Sequence, residues 1–188
     1  MKKWFHRVDT PEEAMRLLHV NECVIIPRYF GSSYESVNGF RQLYDKVLNR
    51  IGGGCSKGAS DFELNFISWN RKSGKSYVAE RLCQVLNDHG YNAVVETNSG
   101  SHIKTERFQT KRMDAVRSIR PNVSYILREG GNLETIWRNN EIPEWSDLIC
   151  FVVSHSRNTS GDLMRSCSML NSLPPDRLIL IYNRASMT

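Results

Sequence analysis

The sequence lacks any apolar run long enough to cross a membrane. Its longest runs, such as Leu148–Val153, fall far short of the roughly 20 residues that a bilayer-spanning helix needs. The opening residues, MKKWFHRVDTPEEAM, carry the lysines of an export signal, but no apolar segment follows them. We therefore expect a cytoplasmic location.

Paired cysteines and metal-binding motifs are also missing. The count of cysteines is odd, at five, and neither they nor the five histidines show the close spacing of a metal site. This pattern argues against a disulfide framework and indicates reduced, mostly buried thiols. The cysteines stand at positions 23, 55, 83, 150 and 167.

The composition is that of an ordinary globular domain. With 188 residues, 40% of them hydrophobic and 24% charged, a single core is the default expectation. The net charge of +5 would suit a phosphorylated ligand, nucleic acid or an anionic membrane face. The basic residues are dispersed except in Lys104–Arg120, which fits a solvated helix face, so we expect no specific nucleic-acid binding.

Two sections can be distinguished along the chain, within what is expected to be one domain. Residues 1–60 contain a helical pattern at 11–19 with Thr10 as its N-cap, a short β-rich run, a second helix at 34–50 and a glycine-rich connector at 52–60. Residues 61–188 alternate between strand and helix patterns. The strands are predicted at 62–68, 91–96, 123–127, 148–153 and 177–182.

These later strands are apolar throughout, and helical patterns separate them. Such runs are typical of parallel strands that are buried on both faces. The sequence therefore predicts an α/β fold, a three-layer sandwich with a mostly parallel central sheet.

The stretch SWNRKSGKS, Ser68–Ser76, joins the first of these strands to a helix. Its ending, Gly74-Lys75-Ser76, is that of a phosphate-binding loop, in which backbone N–H groups at a helix N-terminus converge on an anion. Lys75 would reach the β- and γ-phosphates, and the Ser76 hydroxyl would contact Mg²⁺. Trp69 occupies the position of the usual first glycine. The alternative is a plain turn between strand and helix.

The order of motifs resembles the cytoplasmic ATPase domain of bacterial tyrosine kinases and polysaccharide co-polymerases, relatives of the MinD/ParA group of P-loop proteins. The resemblance runs from VIIPRYF (24–30) through ESVNGFRQLYDKVL (35–48) and the loop ending GKS. It continues through SDLICFVV (146–153) and Thr159 to LILIYNR (178–184). The whole chain from about Glu22 to Arg184 takes part.

This resemblance implies a P-loop site for ATP and Mg²⁺. The nucleotide-contacting residues would be Ser73, Gly74, Lys75, Ser76, Tyr77 and Asn183. Glu96, after the second strand of the later section, would be the acidic residue for Mg²⁺ and catalysis, and Asn183 would contact the base. The family also implies homo-oligomers, with the 34–50 helix packed on the core or on a neighbouring subunit. A membrane-bound polysaccharide synthesis or export protein would be a partner.

The sequence departs from this family at the third strand of the later section. Where the family has an aspartate, VSYILREGG offers Arg128 or Glu129, with Glu129 expected on the other side of the strand. An arginine cannot ligate a cation. The departure predicts nucleotide binding with weak or no hydrolysis, as in a regulatory pseudoenzyme or a scaffold for a kinase or transporter.

A rival interpretation comes from the same stretch. FISWNRKSGKSYVAERLCQVLNDHGYNAVVE (66–96) also resembles the opening of a TIR domain, a flavodoxin-like assembly module or NAD-cleaving enzyme. An unrelated α/β binding protein is a further alternative.

Overall fold

The computed structural model describes residues 6–27, 34–52, 62–97, 124–139, 146–155 and 157–184. Most of the expected connector, the basic stretch Lys104–Arg120 and Cys55 lie outside these residues. The other four cysteines are free thiols, and those of Cys83 and Cys150 are buried as expected.

Within the described residues, six strands form one sheet, and every neighbouring pair is parallel. The predicted three-layer α/β sandwich is confirmed. The strands are β1 (Cys23–Ile26), β2 (Phe62–Ser68), β3 (Asn92–Thr97), β4 (Ser124–Asn132), β5 (Leu148–Ser154) and β6 (Leu178–Asn183). Four of them match the predicted strands to within about one residue at each end, β4 runs about five residues beyond the predicted end at Leu127, and β1 comes from the front section.

Helices cover both faces of the sheet. In the part of the chain that the structure describes, the α-helices are α1 (Pro11–Leu18), α2 (Tyr34–Gly52), α3 (Lys75–Asp88), α4 (Leu133–Arg138) and α5 (Ser160–Leu170), and a 3₁₀ turn covers Pro175–Arg177. Helices α2 and α3 pack on one face, against residues such as Phe66 and Leu127. Helices α1, α4 and α5 pack on the other, against residues such as Phe151. We call these the α3 face and the α5 face.

Side-chain caps define where two helices begin. The Thr10 hydroxyl accepts a hydrogen bond from the Glu13 N–H, which confirms the predicted N-cap of α1. At α5, Thr159 and Asp162 form a reciprocal capping box. Each cap satisfies an N–H group that would otherwise lack an acceptor in the first turn.

The sheet order is β1-β6-β5-β2-β4-β3. Within the later section, the first strand, β2, therefore lies between the third and the fourth. A flavodoxin-like sheet instead places its first strand between the second and the third. The strand order is thus that expected of a P-loop protein, and it does not support the TIR-like alternative.

The same order positions the candidate site. On one side of β2 lie β4 and then β3, and on its other side lie β5 and then β6. In open parallel sheets, a crevice for ligands forms where the strand order reverses, beyond the carboxyl ends of the strands. The loop that follows β2 lies at this point.

The front section is part of the same packing unit. Strand β1 pairs with β6, and α2 buries Phe40, Leu43 and Val47 in the core of the α3 face. The expectation that the 34–50 helix packs on the core is therefore confirmed. Its contact with a neighbouring subunit stays a prediction. Within the described residues, no helix is long and apolar enough to span a bilayer.

Gly39 gives a test of how closely α2 approaches β1. A Cβ atom at this position would lie 2.6 Å from the Ile25 carbonyl oxygen and 3.2 Å from Pro27 Cδ. Replacing an interior helix glycine by alanine normally stabilises a helix by about 1 kcal/mol. Here we expect Gly39→Ala to destabilise the protein by about 1–3 kcal/mol, because the backbone must move apart.

Thermal unfolding would measure this effect, with Asn38→Ala as the matched control, since Asn38 is the exposed neighbour on the same helix. A melting temperature of Gly39→Ala at or above that of the control would contradict the close packing of α2 on β1.

Candidate functional site

The loop 69–74 connects β2 to α3 and contains two residues in the left-handed conformation. Lys72 has φ 57° and Gly74 has φ 88°. Gly74 is the N-cap of α3, and it provides no side chain to cap the helix. The first turn of α3 contains no acidic residue either. The first N–H groups of this helix, at Lys75, Ser76 and Tyr77, are therefore available to an anion.

Trp69 stands where such loops usually have their first glycine, and its packing in the core holds the start of the loop in place. Its side chain is 2% exposed and lies in the core of the α5 face. Its carbonyl accepts a hydrogen bond of 3.2 Å from the Glu134 N–H, at the start of α4. The guanidinium of Arg165 lies 6.0 Å from the centre of the indole ring. A glycine is thus not required here, because the side chain turns away from the loop into the core.

The Lys75 side chain lies under the loop, on the α3 face. Its ammonium donates to Ser68 Oγ and to Asn132 Oδ1, both at 3.0 Å. The residue is 6% exposed, and this burial lowers the pKa of Lys75, while the nearby charge of Glu129 acts in the opposite direction. Ser68 in turn donates its hydroxyl proton to the Asn70 carbonyl at 2.7 Å, so the lysine is joined to the loop backbone.

A bulge in β4 brings Asn132 to this lysine. Along β2 and β4, Phe66 pairs with Glu129, but Ser68 pairs with Asn132, so β4 contains one additional residue around Gly130–Gly131. Without the additional residue, Asn132 would face the opposite layer, because successive side chains alternate between faces. Bulges commonly redirect a side chain next to a functional site.

Asn183, at the end of β6, holds the other end of the loop. Its Nδ2 group donates to the Ser73 carbonyl at 3.0 Å. The same amide fills the space beside Gly74, where any Cβ atom would overlap with it. The Ser73 hydroxyl is buried in the loop and has no hydrogen-bond partner within the described structure.

The structure does not bring Glu96 to this group. Glu96 lies on the α5 face, where Arg128 forms ion pairs at 3.0 Å with both Glu96 and Glu63. Lys75 and Ser76 belong to the helix on the α3 face. A metal ion at Ser76 is therefore separated by the sheet from the Glu96 carboxylate.

Glu129, not Arg128, faces the loop side of the sheet. It pairs with Phe66, whose side chain points into the core of the α3 face, and its charge acts on Lys75. The expectation that Glu129 faces away and that Arg128 stands at the carboxylate position is wrong. The reason is the phase of β4, in which Tyr125, Leu127 and Glu129 share one face.

Six of the expected site residues therefore lie together, and Glu96 lies apart from them on the other face of the sheet. Ser73, Gly74, Lys75, Ser76, Tyr77 and Asn183 lie together at the loop. The Tyr77 ring packs edge-on against Phe40 at 5.8 Å, and its backbone N–H lies in the first turn of α3. Sequence reasoning missed Ser68 and Asn132. The Gly130-Gly131 pair, just beyond the strand predicted at 123–127, was the available signal for the bulge.

Within the described residues, no group of three histidine, cysteine, aspartate or glutamate side chains could hold a metal ion. A Mg²⁺ ion in a nucleotide site does not need three such side chains. There the ion takes one or two protein oxygens and completes its shell with phosphates and water.

Comparison with known proteins identifies the fold but not the family. No protein-family model and no curated protein matches the chain. Among solved structures, the chain is similar to the crystal structure of the chimerical protein CapA2B2, with a TM-score of 0.55 and 11% sequence identity. The match covers 93% of this chain and 99% of that one. At this identity the similarity supports the α/β sandwich alone.

Replacing Lys75 by methionine tests the electrostatic cost of its position. The change removes a buried positive charge but keeps a long apolar side chain, so we expect the melting temperature without ligand to rise by about 2–4 °C, equivalent to about 1 kcal/mol. Thermal unfolding at pH 7 would measure it. Lys72→Met is the control, because Lys72 lies in the same loop but is exposed. A larger loss of stability in Lys75→Met than in Lys72→Met would contradict this interpretation.

Proposed function

We propose that the protein binds a nucleoside triphosphate, with ATP as the first candidate, and holds its phosphates in loop 70–76. The backbone N–H groups at the start of α3 and the ammonium of Lys75 serve as the donors. The bound phosphates lie beyond the carboxyl end of β2, at the reversal point of the strand order.

The observation that carries this proposal is the ammonium of Lys75. Its hydrogen-bond partners in the described structure are two neutral oxygens, those of Ser68 and Asn132, and no carboxylate there lies within ion-pair distance. An ammonium has three donors, and a buried charge without a counter-ion is costly. A phosphate group would supply both the missing negative charge and the third acceptor.

Two further features support the same ligand. The Ser73 hydroxyl is buried without a partner, and α3 begins at a glycine that gives no side-chain cap. Both leave hydrogen-bonding groups unsatisfied at one end of one helix. The helix dipole also favours negative charge at this end.

Mg²⁺ is part of this proposal through residues that fit it. The Ser76 hydroxyl stands at the second position of α3, where P-loop proteins place their metal-contacting hydroxyl. Glu129 is the carboxylate of this face that would hold a magnesium-bound water. The ion would neutralise charge on the phosphates that it bridges.

The proposed family of the protein follows from the resemblance in the sequence. We propose a nucleotide-binding protein related to the tyrosine-kinase-like ATPases of polysaccharide synthesis. The proposal includes their homo-oligomeric state and a membrane-bound synthesis or export protein as partner. Arg128 gives no reason to expect weak or absent hydrolysis, because two glutamates hold it on the opposite face of the sheet from the loop.

Titration with a fluorescent ATP analogue, with and without Mg²⁺, tests the binding proposal. We expect saturable binding by the wild type and by Lys72→Met, and a loss of affinity of at least about 100-fold in Lys75→Met, since a charge-assisted contact to phosphate disappears. Unlabelled tripolyphosphate should displace the analogue. If the wild type does not bind, or if Lys75→Met binds equally well, the proposed function is wrong.

Phosphate release under saturating ATP tests the role of Glu129. We expect Glu129→Gln to lower the rate about 10–1000-fold with little change in affinity, because the amide is a poorer acceptor for a metal-bound water. Glu96→Gln is the matched control and should leave both the rate and the affinity unchanged. Should the wild type bind ATP but release no phosphate, the protein is a scaffold. A loss of turnover in Glu96→Gln alone would refute the assignment of Glu129.

A further inference from the structure

The side chain of Asn183 contacts the phosphate loop at two adjacent points. Its amide nitrogen donates to the Ser73 carbonyl at 3.0 Å and lies against the position of a Cβ atom on Gly74. Asn183 is 1% exposed, and it comes from the last strand, far along the chain from the loop. The contact therefore joins two separate elements at the site.

This contact sets the orientation of one peptide group. In a trans peptide, the carbonyl and the following N–H point in opposite directions. Holding the Ser73 carbonyl against Asn183 therefore fixes the direction of the Gly74 N–H, which points away from β6. Backbone N–H groups around a glycine of this kind are what a phosphate loop uses to hold its anion.

The loop needs such a restraint more than most. Its first residue, Trp69, is anchored in the opposite layer, and two of the residues that follow, Lys72 and Gly74, adopt left-handed conformations. A glycine in this region has several accessible conformations of similar energy. The hydrogen bond from the buried strand end at Asn183 restrains this choice.

We propose that Asn183 is a positioning residue that presets the phosphate loop, and that its role is independent of the nucleotide base. This inference rests on the proposed phosphate site. It differs from the family expectation, in which the residue at this place contacts the base, because the Asn183 amide is directed at the loop backbone.

Comparing two ligands separates these roles. Tripolyphosphate carries the phosphates of ATP but no base. We expect Asn183→Ala to weaken the binding of ATP and of tripolyphosphate by the same factor, about five- to tenfold, the value of one hydrogen bond. Isothermal titration at a temperature well below the melting temperature of the variant would measure both. A change in stability alone does not alter the affinity of the folded protein.

The outcomes are distinct. If only ATP binds more weakly to Asn183→Ala, the residue contacts the base and the inference is overturned while the proposed function stands. If neither ligand is affected, the inference is also overturned. If the wild type binds neither ligand, the proposed phosphate site itself fails.

A second variant covers the case in which Asn183→Ala does not fold. Gly74→Ala places a methyl group against the Asn183 amide and also strains the backbone, because Gly74 has φ 88°, so it should weaken the binding of both ligands by similar factors. Where both single variants fold, the double variant should lose less affinity than the product of the two single losses, because removing the asparagine relieves the overlap. If the double variant loses affinity by the full product of the two single losses, the contact between Asn183 and the loop is not the cause. The same follows if Gly74→Ala weakens the binding of ATP alone.

Discussion

The buried ammonium of Lys75 is the interaction around which the site is arranged. It connects α3 to β2 through Ser68 and to β4 through Asn132, so one side chain joins three elements at the site. Each partner is present for an identifiable reason. Ser68 is the last residue of β2, and Asn132 reaches the lysine only because β4 gains a residue at Gly130–Gly131. The arrangement holds the charge in place but does not neutralise it.

The two faces of strand β4 carry different arrangements of charged side chains. On the α3 face, Glu129 acts on Lys75 across a distance that leaves the ammonium without a direct ion pair. On the α5 face, Arg128 is fully engaged with Glu63 and Glu96. The two residues are neighbours in sequence, yet the sheet lies between their side chains. A shift of one residue in this strand would exchange the cation and the carboxylate and would remove the acid from the loop.

The sequence was sufficient to predict the architecture, because buried parallel strands consist of uninterrupted apolar residues and the GKS ending marks the start of a helix. The cap at Thr10 follows from a similarly local rule. The errors have a common physical origin in strand phase and register, which depend on the neighbouring strand. The side of the sheet on which Arg128 and Glu129 lie and the bulge that redirects Asn132 both come from pairing between distant segments. Local patterns contain little information on these contacts.

The position of β6 has a consequence for the order of folding. This strand pairs with β5 on one side and with β1, from the front of the chain, on the other, and its final residue, Asn183, holds the loop between β2 and α3. During synthesis, β1 must wait for β6 to emerge before it can pair, and contacts so distant in sequence form slowly. The loop between β2 and α3 emerges long before Asn183. A nascent chain therefore lacks the restraint on Ser73 until β6 has joined the sheet, and the loop acquires its conformation together with the finished fold.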